Sequence, residues 1–232
     1  MKTRICALLL IAGITAVTLS PAPPVAAQRG PVAKKDMGKG FVEDFSTLNP
    51  KRWQVFLRPH ADLGILSNCL KLGEGAMILT TECYPGADIG FEWSHQVYNG
   101  ARVADQLRVL LRCTGEIDAR GMEILNGIQV RIDPNEGKMY IECIKAGAKR
   151  VLKEVQFRKV NNGFAVQPDI NQKHRVDIVD NGAEIQVRAH GVTLVAPFNV
   201  KDFQGCHVGF ADDASGKRAI FLRNVAINPA MR

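Results

Sequence analysis

The chain has 232 residues and a formal net charge of +7, from 30 Lys and Arg against 23 Asp and Glu. This excess is mild, and no basic run with interleaved aromatic residues follows the N-terminal segment, so the sequence does not favour nucleic-acid binding. The histidines form no close ligand pair and no Cys-x-x-Cys occurs, which argues against a structural zinc site. We predict no metal and no cofactor, and leave calcium open.

The N-terminus has the features of a secretory signal peptide. Two basic residues precede an apolar run from Ile5 to Leu19, and the small residues Val25 and Ala27 fit a cleavage after position 27. A membrane anchor is the alternative, but the run is short for a membrane span. We therefore expect residues 1–27 to be a signal peptide, residues 28–40 to be a Gly/Pro/Lys-rich linker, and the mature protein to be periplasmic or extracellular without a membrane span.

The cysteine count bears on the expected oxidising compartment. Five cysteines remain after removal of the signal peptide, an odd number, so at least one should stay free. A disulfide framework and a set of small buried core residues are both compatible with the spacing. The five are Cys69, Cys83, Cys113, Cys143 and Cys206.

From Phe41 onward, apolar and polar residues alternate with a period of two, and no stretch of a dozen residues sustains helical spacing. This pattern predicts an all-β protein. Three stretches are predicted as strand pairs joined by turns. They are residues 69–84 with a turn at Gly73 and Gly75, residues 126–146 with a turn at "DPNEGK", and residues 174–198 with turns at Asp180–Gly182 and His190–Gly191.

The spacing of these strands predicts one domain rather than two. About a dozen short strands, with turn signals roughly every 8 to 12 residues, are typical of a β-sandwich. No internal repeat of fixed period is visible, which argues against a propeller or a solenoid. We predict a single antiparallel β-sandwich over residues 41–228.

Two sets of motifs resemble a known superfamily. The opening "FVEDFSTLNPKRWQV" resembles the first strand of concanavalin A-like, laminin-G-like jelly rolls. The stretches "MILTTECYPGADIGFEW", "VLLRCTG", "GMEI", "HRVDIVDNGAEIQVRAHGV" and "HVGFADDASGKRAIFLRNVAI" look like the 3-keto-disaccharide hydrolase domain, and together they span Phe41 to Ile227. The resemblance implies a concanavalin A-like jelly roll that binds carbohydrate. The chain departs from that family at Asp105–Leu107 and after Glu123, where the family's pocket would lie.

The stretch "GEIDARGMEI", residues 115–124, invites comparison with the catalytic strand of β-sandwich glucanases. Those enzymes place three carboxylates on one strand, but positions 120 and 121, where the second Glu is needed, are Arg and Gly. Glu116 and Glu123 are seven residues apart, about 23 Å in a continuous strand and on opposite faces. Retaining hydrolysis needs carboxyl groups about 5 Å apart. We interpret the stretch as a charged surface loop.

The resemblance implies that Arg112 and Glu123 are pocket residues, with Glu123 as a general acid or base. Arg108 and Arg112 alternate with the apolar residues of their strand, so they are expected on its polar face. Gln129 and Arg131, from the following hairpin, could complete a groove that hydrogen-bonds sugar hydroxyls. The alternative is a solvated sheet face with Arg–Glu pairing.

Aromatic residues are the other candidates for recognition, because their faces stack on sugar rings. Trp93 lies close in sequence to Glu92 and His95, and we predict that Trp93 and His95 bind substrate. Trp53 is interpreted as a core residue of the first strand. The remaining candidates are Tyr84 and Tyr98.

Three functions stay open at this stage. The first is an exported carbohydrate-recognition domain without evident catalysis, which the departures at the pocket favour. The second is a glycoside-cleaving enzyme similar to the 3-keto-disaccharide hydrolases. The third is a laminin-G-like module that binds another protein.

Overall fold

The computed structural model describes residues 38–59, 61–73, 75–96, 106–118, 123–158, 160–161, 164–165, 172–212 and 219–230. The expected signal peptide, most of the expected linker and Tyr98 lie outside these residues. Within the described part of the chain, no helix is long and apolar enough to cross a membrane.

Seventeen strands and one short 3-10 helix make up the described structure. The strands are β1 (Phe41–Glu43), β2 (Trp53–Leu57), β3 (Leu63–Leu66), β4 (Cys69–Gly73), β5 (Ala76–Thr80), β6 (Ala87–Gln96), β7 (Leu107–Cys113), β8 (Gly127–Asp133), β9 (Lys138–Lys145), β10 (Ala148–Gln156), β11 (Val160–Asn161), β12 (Phe164–Ala165), β13 (His174–Asp180), β14 (Glu184–Ala189), β15 (Val192–Pro197), β16 (His207–Asp212) and β17 (Ala219–Pro229). The 3-10 helix is Val200–Asp202.

The strands form two large antiparallel sheets, which confirms the predicted all-β jelly-roll sandwich. The eight-stranded sheet has the order β15-β14-β13-β6-β17-β4-β3, and β1 also pairs with β17. The seven-stranded sheet has the order β10-β9-β8-β7-β16-β5-β2. Strands β11 and β12 form a separate two-stranded sheet.

The core lies between the two sheets and follows from the alternation in the sequence. On β7 and β8, for example, every second residue points inward and is fully buried. Aromatic rings cross the interface: Phe91 of β6 meets Phe210 of β16 edge to face at 5.2 Å, and Phe210 lies 6.1 Å from Trp53. Trp53 is therefore a core residue, as the sequence predicts.

Local turn chemistry explains two of the three predicted strand units. Strands β8 and β9 pair across the "DPNEGK" turn, and β13, β14 and β15 pair in succession. His190 and Gly191 both have positive φ, 51° and 75°, as a tight two-residue hairpin turn requires. The predicted hairpin over residues 69–84 is wrong, because β4 and β5 belong to different sheets and Gly73–Gly75 marks a crossover.

One disulfide joins the segments next to paired strands. Cys83 follows β5 and Cys206 precedes β16, and their sulfur atoms are bonded across 123 positions of the sequence. Cys69, Cys113 and Cys143 are free and buried. The cysteines thus divide between the two roles that the spacing left open.

Candidate functional site

The outer face of the seven-stranded sheet, turned away from the core, carries polar side chains that are buried. Strand pairing sets Arg108, Arg131 and Tyr140 in one row across β7, β8 and β9, and Gln129 beside Glu142 in the next. Gln129 is 0% exposed, Arg108 3% and Glu142 5%. We call Arg108, Gln129, Arg131, Tyr140 and Glu142 the polar face. Burial of so many polar groups is costly unless they are hydrogen-bonded.

A network of hydrogen bonds connects the β8 and β9 side of the polar face. Gln129 Nε2 donates to Glu142 Oε2 at 2.7 Å, and Arg131 donates to Glu142 Oε1 through Nε and Nη2 at 3.3 and 3.2 Å. The Arg131 guanidinium lies 3.8 Å from the centre of the Tyr140 ring. Burial alone would lower the pKa of Arg131, but Glu142, together with Tyr140 and Asp133, outweighs burial and raises that pKa. The guanidinium therefore stays charged.

Asp133, at the end of β8, extends the network. It accepts a hydrogen bond from Gln106 Nε2 at 2.6 Å and lies 3.4 Å from Arg131 Nη1. Burial raises the pKa of this carboxyl, and the nearby Glu136 adds to the effect. The backbone amides of Asn135 and Glu136 cap its other oxygen at 2.8 and 3.1 Å, which fixes the β8–β9 turn.

Glu123 reaches the polar face from the loop between β7 and β8. Arg108 Nη1 donates to Glu123 Oε2 at 2.9 Å, and Lys149 Nζ of β10 lies 3.2 Å from the same oxygen. The loop is held by Ile117 and Ile124, which pair as an isolated bridge and pack on the apolar part of the outer face. The Glu123 side chain is 26% exposed, so this carboxylate lies between two cations at the border with solvent.

Arg112 does not lie beside Glu123. A bulge in the pairing of β7 with β16 and a φ of 51° turn Arg112 into the space between the sheets. There its Nε and Nη2 donate to Asp180 of the other sheet at 2.6 and 2.9 Å, and both side chains are 2% exposed. Its guanidinium also lies 5.0 Å from the Phe198 ring. The structure thus brings Glu123 to Arg108, and places Arg112 in an inter-sheet ion pair.

Trp93 and His95 lie on the inner side of the eight-stranded sheet and do not join the polar face. Each is 1% exposed, and His174 and His190 complete a group of rings around the Trp93 indole. We call His95, His174 and His190 the histidine cluster. Burial, reinforced by His174 and Arg158, lowers the pKa of His95 and of His190 to about 4.

The other sequence candidates have structural contacts. The Tyr84 hydroxyl bonds to Glu82 Oε2 and to the Lys39 carbonyl, both at 2.9 Å. The described ends of the "GEIDARGMEI" stretch, 115–118 and 123–124, lie outside the named strands. No group of three or more His, Cys, Asp or Glu within the described ranges is arranged to hold a metal ion.

The sequence analysis missed two residues of the polar face, Tyr140 and Glu142, and it missed Lys149, which pairs with Glu123 at the border of that face. A signal was present for two of them: in "KMYIECIK", Tyr140 and Glu142 alternate with inward apolar residues. The predicted β8–β9 hairpin then pairs Gln129 with Glu142 in the observed register. The proximity of Lys149 to Glu123 could not be predicted from the sequence, because it depends on where the loop that carries Glu123 lies.

Comparisons with known proteins identify the fold. No family model matches the chain, and no curated protein matches it. Among solved structures, carbohydrate-binding module CBM66 from Bacillus subtilis has a TM-score of 0.52 at 15% identity, over 75% of this chain and 94% of its own. Bacillus licheniformis β-glucanase has a TM-score of 0.55 at 11% identity, over 84% of this chain and 100% of its own. A winged bean acidic lectin complexed with methyl-α-D-galactose has a TM-score of 0.57 at 13% identity, over 82% of this chain and 97% of its own. The chain shares the jelly-roll fold of lectins and glucanases.

Proposed function

We propose that the protein is an exported carbohydrate-binding jelly-roll domain and that its polar face holds the sugar. The main support is the buried network of Gln129, Glu142 and Arg131. No described residue provides a hydrogen-bond partner for Gln129 Oε1 or for Arg108 Nε, although both atoms are buried. Buried polar atoms without partners cost about 1 to 3 kcal/mol each. A sugar whose hydroxyl groups reach these two atoms, when the side chains above them move aside, would remove that cost.

The chemistry of the polar face suits a sugar better than an ion. Its amide, carboxylate and guanidinium groups offer donors and acceptors side by side, which is what a row of hydroxyls requires. Its two arginines are balanced by Glu142 and Glu123, so no excess charge of either sign selects a strongly charged ligand. Two of the structural neighbours are a carbohydrate-binding module and a lectin, in accord with this proposal.

Export is part of the proposal. The N-terminal sequence fits a signal peptide, and the Cys83–Cys206 disulfide suits an oxidising compartment. A cytosolic protein of this kind would keep the two thiols reduced. Mass analysis of the natural protein from culture medium and periplasm would test both cleavage after Ala27 and the disulfide.

A glycoside-cleaving enzyme is the second candidate, and Glu123 is the observation that favours it. This carboxylate is partly exposed at the border of the polar face and is flanked by Arg108 and Lys149. Glycoside hydrolysis ordinarily needs a second carboxylate. Glu142 is the glutamate of the polar face itself, but its two oxygens are already engaged by Gln129 and Arg131. Recognition without turnover is therefore the favoured function.

A glycan array with the mature protein at pH 7, with product analysis on oxidised and unoxidised disaccharides, tests these functions. Glu142→Gln should weaken binding of the best array glycan by one to two decades, since hydrogen bonds to charged groups contribute roughly 1.5 to 3 kcal/mol. Gln129→Ala should weaken it by up to about one decade, since hydrogen bonds of a neutral amide contribute roughly 0.5 to 1.5 kcal/mol. Glu123→Gln should leave binding within a few-fold. If turnover is found, Glu123→Gln should abolish it.

Gln186→Ala is the matched control, because Gln186 lies on β14 of the other sheet and outside the polar face. It should bind like the unchanged protein, and circular dichroism should report the same β-structure for all variants. Binding that survives both Gln129→Ala and Glu142→Gln would place the sugar elsewhere. Absence of any glycan binding or cleavage would favour a protein-binding module instead.

A further inference from the structure

The histidine cluster gathers three titratable rings at one end of the sandwich interior. The Trp93 ring centre lies 5.6 Å from that of His95 and 5.9 Å from those of His174 and His190. The rings of His174 and His190 are 4.4 Å apart. A proton taken up by one ring therefore disfavours a proton on the next, because like charges at this range repel in a buried site.

The surroundings of the cluster add positive charge. Burial lowers the pKa of both His95 and His190, and the charges of His174 and of Arg158, just after β10, lower it further. No described carboxylate is among the groups that shift these two pKa values. On β17 the residue in register with His95 is the apolar Ile220. From β13, Asp177 faces outward and is bound by Arg175 Nη2 at 2.7 Å. An imidazolium at His95 or His190 thus forms among cations.

The cluster is connected to the end of β10 by packing. The His190 ring stacks on Phe157, with centres 4.3 Å apart and planes inclined by 10°. The backbone amides of Phe157 and Arg158 both donate to the Gly137 carbonyl, at 2.8 and 3.2 Å. Displacement of the His190 ring or of Arg158 therefore acts on the two hydrogen bonds that attach this segment to the β8–β9 turn.

The β8–β9 turn in turn borders the polar face. Gln156 Nε2 donates to the Glu136 carbonyl at 2.8 Å. The Glu136 carboxylate accepts a hydrogen bond from the Tyr140 hydroxyl and lies 4.0 Å from Arg131 Nη1. The contacts run without a gap from the histidine cluster, through residues 156–158, to the Tyr140 and Arg131 side of the polar face.

We propose that the histidine cluster is an acid-sensitive latch: protonation of His95 and His190 releases residues 156–158 from the Gly137 turn and loosens the Tyr140–Glu136 contact at the polar face. At neutral pH the His95 and His190 rings are uncharged, His190 packs on Phe157 and the latch is closed. In acid, repulsion within the cluster and from Arg158 opens it. Release of a sugar in acid rests on the proposed function, whereas the opening itself does not.

Amide hydrogen exchange between pH 7 and pH 4.5 tests the latch without any ligand. Rates are corrected for the intrinsic pH dependence of exchange and expressed as protection factors. The Phe157 and Arg158 amides should lose protection at least tenfold on acidification. The Leu222 amide, on the central strand β17, reports global unfolding, and at pH 4.5 it should still exchange at least tenfold more slowly than the Phe157 and Arg158 amides.

Variants separate the latch from ordinary acid weakening of the fold. In His95→Leu/His190→Asn, protection of the Phe157 and Arg158 amides should become nearly independent of pH; Asn is chosen because it tolerates the positive φ of position 190. Arg158→Gln, which keeps all the histidines, should reduce the loss of protection. Arg150→Gln, on the exposed part of β10, is its matched control and should behave like the unchanged protein.

The latch is overturned if the Phe157 and Arg158 amides keep their protection at pH 4.5, or if they exchange there no faster than the Leu222 amide. It is also overturned if Arg158→Gln and Arg150→Gln respond alike. If the double histidine variant does not fold, the comparison of the two arginine variants still decides. Failure to bind any glycan would count against the proposed function and leave this result unchanged.

Discussion

Arg112 ties the two sheets together from a backbone position that non-glycine residues rarely adopt. Its φ is 51°, and the strain is compensated by a two-point contact between its guanidinium and the Asp180 carboxylate. Gly182 N also donates to Asp180 Oδ1 at 3.0 Å, so one carboxylate serves the ion pair and the β13–β14 turn. Removal of this carboxylate leaves a buried charge without a counter-ion.

We expect Asp180→Ala to lower the free energy of unfolding by about 3 to 5 kcal/mol, the usual cost of breaking a buried ion pair by removing one partner. Urea denaturation followed by tryptophan fluorescence measures it. Glu154→Gln is the control: its pair with Lys138 is largely exposed and should contribute less than about 1 kcal/mol. Equal costs for the two substitutions would contradict a structural role for Arg112.

Gly209 is a second residue whose identity is dictated by its neighbours. A Cβ at this position of β16 would lie 2.3 Å from the Ile78 carbonyl oxygen and 2.3 Å from Leu79 Cδ2. The Leu79 side chain can rotate away, but the Ile78 oxygen belongs to the paired strand β5 and cannot move without disturbing the sheet.

Gly209→Ala should therefore destabilise the fold by about 1 to 3 kcal/mol, as overpacking does elsewhere. Gly64→Ala is the matched control, since a Cβ there has no atom within 4 Å and Gly64 also lies in a strand. It should be neutral or slightly stabilising, because alanine restricts the unfolded chain more than glycine. Thermal unfolding of both variants checks the pair, and an unchanged melting temperature for Gly209→Ala would refute the expectation.

At the level of strands, local pattern was sufficient for hairpins and insufficient for sheet membership. The turns over residues 126–146 and at His190–Gly191 carry their own signals, and both hairpins are confirmed. The error at Gly73–Gly75 arose because alternation predicts a strand with a buried face but does not say which sheet it joins. Two consecutive strands that belong to different sheets therefore have the same sequence pattern as the two strands of a hairpin.

The direction of the side chains on β7 was the second feature that the sequence pattern did not predict, and it affected the candidate site. Alternation placed Arg108 and Arg112 on the same face, and one extra residue in the bulge with β16 reverses that expectation for Arg112. Bulges depend on the pairing with a strand almost a hundred positions later, so β7 alone carries no signal for it. Arg108, Gln129 and Arg131, on the regular part of the same sheet, do share one face.

The molecule as a whole holds histidines and carboxyls whose burial opposes ionisation, so its stability must depend on pH. His95 and His190 have pKa values of about 4 in the folded protein, against an ordinary value near 6.5. A depressed histidine pKa means that the unfolded chain binds protons more readily as pH falls below 6.5. Asp88 and Asp133 act with the opposite sign, because burial raises their pKa and their protonation favours the folded state.

We expect the free energy of unfolding to be nearly constant above pH 7 and to fall between pH 6.5 and pH 4. Each histidine removes about 1.4 kcal/mol per pH unit within that window, on the order of 3 kcal/mol apiece at its lower end. The two aspartates start from an ordinary pKa of 3.8, so their opposite contribution enters mainly near the acid end of the window. Urea titrations at pH 8, 7, 6 and 5 measure the slope, and His95→Leu/His190→Asn should flatten it. A stability that stays level or rises from pH 7 to pH 5, or a slope that the double variant leaves unchanged, would mean that these imidazoles are charged in the folded protein.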